Sequence, residues 1–207
     1  MSSGLSFRSG LMLLAVFLIG SAFYHIDEEW KLKKDKNGIK VFTRKVDGYS
    51  LKEYKATMIV NAAPDAAYRL INDAEKYHEW QHNCGSARLI QKEGKNTSVI
   101  YVHTKAPFPV SDRDLVAKFT EQRYDDGGFR IDFKAVEGYE PINKPKVRMS
   151  YMKGYWIVEN LGEGKLRIDH QVHADPAGKL PDWMINAAVV ETPYKTLLNL
   201  KRLLEEG

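Results

Sequence analysis

The chain has 207 residues, 43% of them hydrophobic and 28% charged, with a formal net charge of +4. This balance fits one globular domain with a short appendage and excludes a disordered chain. Lys and Arg are scattered and mixed with Asp and Glu, so nothing marks a nucleic-acid binder, and the one cysteine, Cys84, excludes an internal disulfide.

Residues 1–10 are small and polar with one basic side chain, Arg8; 11–19 is an unbroken apolar run; Gly20-Ser21-Ala22 puts small residues at −3 and −1 of a cut after Ala22. This is the layout of a secretory signal peptide over 1–22, with an uncleaved anchor as the alternative reading. The apolar run falls short of the roughly 18 residues of a membrane-spanning helix. The folded domain is then expected over 25–207, exported to a periplasmic or extracellular compartment.

Within it, 39–46 alternates apolar and polar residues as a half-buried strand does, Asp47-Gly48 turns the chain, and 51–60 reads as the hairpin partner. A helix follows with Pro64 in its first turn; Ala67, Leu70 and Ile71 sit at helical spacing, and Ala74 and Tyr77 continue the stripe. From there the chain reads as strands at 86–92, 97–104, 112–123, 129–136, 146–159 and 165–174. Phe129, Ile131, Phe133 and Ala135 share one face of their strand, and Arg130, Asp132 and Lys134 the other, the pattern of an antiparallel sheet with one dry face. The chain closes with an amphipathic helix over 181–205, interrupted by Pro193. The fold class is therefore α+β: a curved antiparallel sheet around a long C-terminal helix, with room for an apolar cavity between them.

Two segments carry a specific likeness. Pro107-Phe108-Pro109-Val110-Ser111-Asp112-Arg113-Asp114-Leu115-Val116 and Asp175-Pro176-Ala177-Gly178-Lys179-Leu180-Pro181-Asp182-Trp183-Met184-Ile185-Asn186 resemble, in order and spacing, the two signatures of the START lipid-transfer family, part of the helix-grip superfamily with the Bet v 1 allergens and polyketide cyclases. Trp80, Cys84 and Gly154-Tyr155-Trp156 fall where that pattern puts them. Ala177 stands where the family often has a second glycine. The resemblance implies the helix-grip fold and one lipid or sterol-like ligand held by a monomeric carrier or sensor that touches membranes transiently. A helix-grip enzyme acting on an apolar substrate is the alternative.

The cavity-lining candidates are Tyr101, Phe133 and Trp156 from the strands, with His170 and Arg113 as polar members, and Trp183, Met184, Ala187 and Val190 from the last helix. Arg113 beside Asp114 reads first as an ion pair fixing a bend, and second as a contact to a polar head group. Cys84 reads as a small buried apolar residue. His78-Glu79-Trp80-Gln81-His82 matches the H-E-x-x-H zinc pattern, which needs both histidines on one helix face. Asn83 and Gly85 end the helix at once, and no third ligand follows closely, so no metal is expected. His170 and His173, three apart on a strand, point to opposite faces, and His170 reads equally as a satisfied core histidine. No cofactor and no catalytic residue is assigned: a general base needs a positioned, pKa-tuned group, and the dry face offers mainly apolar side chains.

Overall fold

The computed structural model describes residues 29–49, 51–178 and 180–206. The leader or anchor over 1–22 lies outside the described residues, and no helix among them is long and apolar enough to cross a membrane. Chain order is β1 (Lys31–Lys36), β2 (Ile39–Arg44), β3 (Glu53–Asn61), α1 (Pro64–Asn72), a 3-10 turn (Ala74–Lys76), α2 (Tyr77–Trp80), β4 (Cys84–Lys92), β5 (Thr97–Thr104), β6 (Arg113–Arg123), β7 (Phe129–Ala135), β8 (Val147–Arg148), β9 (Tyr151–Gly162), β10 (Lys165–Asp175) and α3 (Asp182–Glu206). The strands form one sheet in the order β1-β2-β3-β10-β9-β7-β6-β5-β4, antiparallel throughout except that β8 lies parallel to β6.

The α+β class, the sheet and the long last helix match the sequence reading. Three details differ. β1 reads KLKKDK, which has no alternation; its lysines suit an exposed edge, where charge discourages pairing with another chain. The helix read from Pro64 through Tyr77 breaks at Asp73, whose extended backbone lets its carboxylate accept the N–H of Glu75 and start a new turn. The strand read over 146–159 is interrupted at Met149 and Ser150, because β8 turns aside to pair with β6.

The core lies between the inner face of the sheet and α3. Ile39, Val41, Ala56, Met58, Val60, Ile131, Phe133, Trp156, Val158, Leu166, Ile168 and Val172 supply the sheet side, and Tyr194, Leu197, Leu200 and Leu204 the helix side. α3 runs along β1, β2 and β3, and α2 fits between α3 and β4 at the other edge of the sheet. The helices thus bridge the two edges, and the sheet wraps them.

One transverse row fixes the centre. Val41 pairs with Ala56, Ala56 with His170, His170 with Trp156, and Trp156 with Ile131. Beside it, Gly154 pairs with Phe133, whose ring lies over the glycine. A Cβ at 154 would stand 2.2 Å from the Gln171 carbonyl oxygen and 2.7 Å from the Phe133 ring. Gly154→Ala is accordingly expected to destabilise the fold by at least about 1–3 kcal/mol, the range for overpacking a tight site, read as a lowered urea midpoint.

Candidate ligand-binding site

The floor of the site is an aromatic cluster around His170. The imidazole stacks on Trp156, centroids 3.6 Å apart and rings within 5° of parallel; Phe133 lies 6.0 Å away, and Tyr54 meets it edge-on with its hydroxyl 3.4 Å from Nδ1. Trp156 in turn meets Trp80, and Trp80 meets Tyr77. The indole N–H of Trp80 is a fully buried donor with no partner among the described residues, an arrangement that costs roughly 1–3 kcal/mol unless an acceptor satisfies it. Burial pulls the His170 pKa down to about 3 and pushes the Tyr54 hydroxyl up. Cys84, half-buried at the edge of the cluster, is raised by burial to about 11, as fits an unreactive apolar-side thiol.

The neutral imidazole makes a pH prediction. Its folded pKa, about 3, lies below the ordinary 6.5, so between those values the unfolded chain binds a proton that the folded chain does not. The stability His170 contributes is therefore fully present above about pH 6.5 and is lost as pH falls toward 3, at up to about 1.4 kcal/mol per pH unit. The stability difference between wild type and His170→Gln, from urea titrations at pH 7, 5 and 4, is expected to shrink steadily with acidification. A constant difference would mean that the imidazole is solvated.

The start of α3 is set by the turn that precedes it. Asp175 Oδ1 accepts the N–H of Ala177 at 2.8 Å, and Ala177 and Gly178 both take positive φ, 56° and 71°. At Ala177, where a glycine would be unstrained, the left-handed backbone costs about 1 kcal/mol. Arg113 holds this turn: buried in β6, it donates to the carbonyl oxygens of Pro176 and Ala177, each at 3.2 Å, and to that of Ser111. The expected Arg113–Asp114 ion pair does not form, because neighbours on a strand face opposite ways. Asp114 is gripped on the outer face by Arg148, at 2.7 and 3.0 Å.

The two halves of α3 differ. From Glu191 onward the helix is fixed: Lys34 pairs with Glu191 at 2.7 Å, Asn37 donates to the Tyr194 hydroxyl, the backbone N–H of His82 donates to Thr196, and Leu197, Leu200 and Leu204 are buried. In the first half, Met184, Ala187 and Val190 are only half-buried, and Trp183 is 62% exposed. At the same end of the sheet, the loop between β5 and β6 carries Phe108, 97% exposed, above a base fixed by Asp112, which accepts the N–H of Ala106 and pairs with His103 at 2.7 Å.

Of the sequence-derived candidates, the structure brings Phe133, Trp156 and His170 into one cluster and uses Arg113 to hold the turn, while on α3 Met184, Ala187 and Val190 are half-buried and Trp183 is exposed. Tyr101 is a correction. Its neighbours Ile100 and Val102 belong to the core, so its own ring lies on the outer face between Arg88 and Lys146. Tyr54 was missed, though Tyr54, Ala56, Met58 and Val60 alternate along one face of β3 and were legible as such. The zinc-like motif is broken by geometry: α2 ends at Trp80, so His82 lies off the helix, and the ring of His78 bonds the Glu75 carbonyl.

Comparison with known proteins gives a consistent picture. The START domain model matches residues 23–202. An uncharacterized protein of Pseudomonas aeruginosa is 31% identical over 196 residues, covering 95% of this chain and 96% of its own. The phosphatidylcholine transfer protein of Bos taurus is 24% identical over 164 residues, 77% of this chain and 76% of its own. Among solved structures, a STAR-related lipid transfer protein from Xanthomonas axonopodis superposes with a TM-score of 0.76 at 35% identity, covering 84% of this chain and 98% of the other.

Proposed function

Because this chain belongs to the START domain family, we propose that it is an exported carrier holding one lipid between the His170–Trp156–Phe133 cluster and the first half of α3. The observation that carries this reading is the contrast within one helix: a second half locked into the core, and a first half whose apolar side chains stand only half-buried. A ligand with an apolar body would cover those side chains.

A carrier accounts for the site better than an enzyme does. The two titratable groups in contact at the floor, His170 and Tyr54, are pushed by burial to opposite extremes, so neither exchanges a proton near neutral pH. The phosphatidylcholine transfer protein and the Xanthomonas axonopodis protein among the relatives are named for lipid transfer. Phe108 and Trp183, exposed at the end where α3 begins, are suited to brief contact with a bilayer by a monomer. The leader-like 1–22 supports export.

Mass spectrometry of the protein purified under native conditions tests the carrier reading. One unmodified lipid per chain is expected, and its conversion to a product during incubation would favour the enzyme. N-terminal sequencing of the mature protein tests export, with residue 23 expected first; a chain starting at Met1 in the membrane fraction would indicate an anchor.

A further inference from the structure

We propose that the outer face of the sheet carries a second site, for a small soluble polyanion of the phosphate-ester class, seated on Lys134 and Lys153. Its lysines stand on the opposite face of the sheet from the His170 cluster, and Phe133 alone is common to both.

The sheet register sets three lysines in a line. Lys118 on β6 stands directly opposite Lys134 on β7, and Lys134 directly opposite Lys153 on β9. With strands about 4.8 Å apart, the line spans about 10 Å. Like charges directly opposite on adjacent strands are destabilising. Elsewhere the same face avoids this: Arg130 pairs with Asp132 at 2.6 Å, Arg167 with Glu159 at 2.6 Å, and Arg44 with Glu53 at 2.7 Å. Lys118 is held by Glu93 at 2.7 Å. Lys134 and Lys153 have no ion pair among the described residues.

The line borders a depression of about 510 Å³, large enough for a phosphate ester or pyrophosphate. Its far wall is an ordered polar chain. The Tyr155 hydroxyl donates to the Gln171 side-chain oxygen at 2.6 Å, and the Gln171 amide donates to Glu53 at 2.6 Å. The lining carries four cationic and two carboxylate side chains. Both carboxylates are already engaged, Glu53 by Arg44 and Gln171 and Asp132 by Arg130, which leaves the lysine side of the depression positive. An anion with two or more charges could bridge Lys134 and Lys153 and turn their repulsion into two charge-assisted contacts. The source is a soluble molecule rather than a bilayer, because the one apolar side chain in the lining, Phe133, is buried, and the most exposed apolar side chains, Phe108, Ile142 and Trp183, lie outside it.

The test titrates inorganic pyrophosphate into wild type and the Lys134→Gln/Lys153→Gln double variant at low ionic strength, followed by calorimetry and by Tm. Wild type is expected to bind one equivalent and to gain Tm. The double variant is expected to bind about tenfold or more weakly, to carry the same co-purified lipid, and without pyrophosphate to melt above wild type. Absence of binding to wild type, or equal binding to both proteins, overturns the proposal. So does sedimentation with phosphatidylglycerol-containing vesicles that depends on the two lysines while pyrophosphate does not bind, because the occupant would then be a membrane.

Discussion

Asp114→Ala is expected to lower stability by about 3–5 kcal/mol, the range for removing one partner of a buried ion pair and stranding the other. The Asp114 side chain has no solvent exposure, and its two oxygens take the Arg148 guanidinium in a bidentate grip. Arg148 also donates to the carbonyl oxygens of Glu140 and Pro141, so the pair ties the long loop before β8 to the middle of the sheet. Losing the carboxylate leaves the guanidinium with carbonyl partners and no counter-charge. Urea midpoints should place Asp114→Ala far below wild type. The double variant Asp114→Leu/Arg148→Met should recover a large part of the loss, since neither charge is then left alone. A drop of less than about 1 kcal/mol for the single variant would show that the pair is solvated.

Met184→Arg is expected to cut lipid binding by roughly 10- to 100-fold with little change in Tm, corresponding to the 1.5–3 kcal/mol of one large apolar contact. Met184 stands half-buried in the first half of α3, where a charge would face the lipid under the proposed function. The measurement is lipid co-purified per mole of protein, together with transfer of fluorescent phosphatidylcholine between vesicles. Unchanged lipid content in a normally folded variant removes Met184 from the site. Deleting the chain from Pro181 onward is a poorer experiment. It also removes Leu197, Leu200 and Leu204, each buried in the core, so it is expected to unfold the domain rather than open the site. The same reasoning divides the helix by role: substitutions at Leu197 or Leu200 should act on stability, and those at Met184, Ala187 or Val190 on the ligand.

The sequence by itself determined the layers and most of the faces. Period-two alternation set Phe129, Ile131 and Phe133 on the inner face, and the odd separation of His170 and His173 sent one inward and the other outward. The Asp175–Gly178 turn and the apolar stripe beyond it marked where the last helix begins. These are local properties, written in residues a few positions apart. What only the tertiary structure decided depends on pairs distant in the chain. Tyr54 joins His170 across 116 positions, because β3 lies beside β10. Arg113 serves the turn before α3, 63 and 64 positions away, and Asp114 finds Arg148 across 34. Nothing in the dipeptide Arg113-Asp114 distinguishes those partners from a pair with each other. Tyr101 reads from the sequence as cavity-lining because Val99-Ile100-Tyr101-Val102 is apolar on both sides, and alternation carries no sign there. Its face was settled by the pairing of β5 between β4 and β6, which directed Ile100 and Val102 into the core and left the tyrosine to the cations outside.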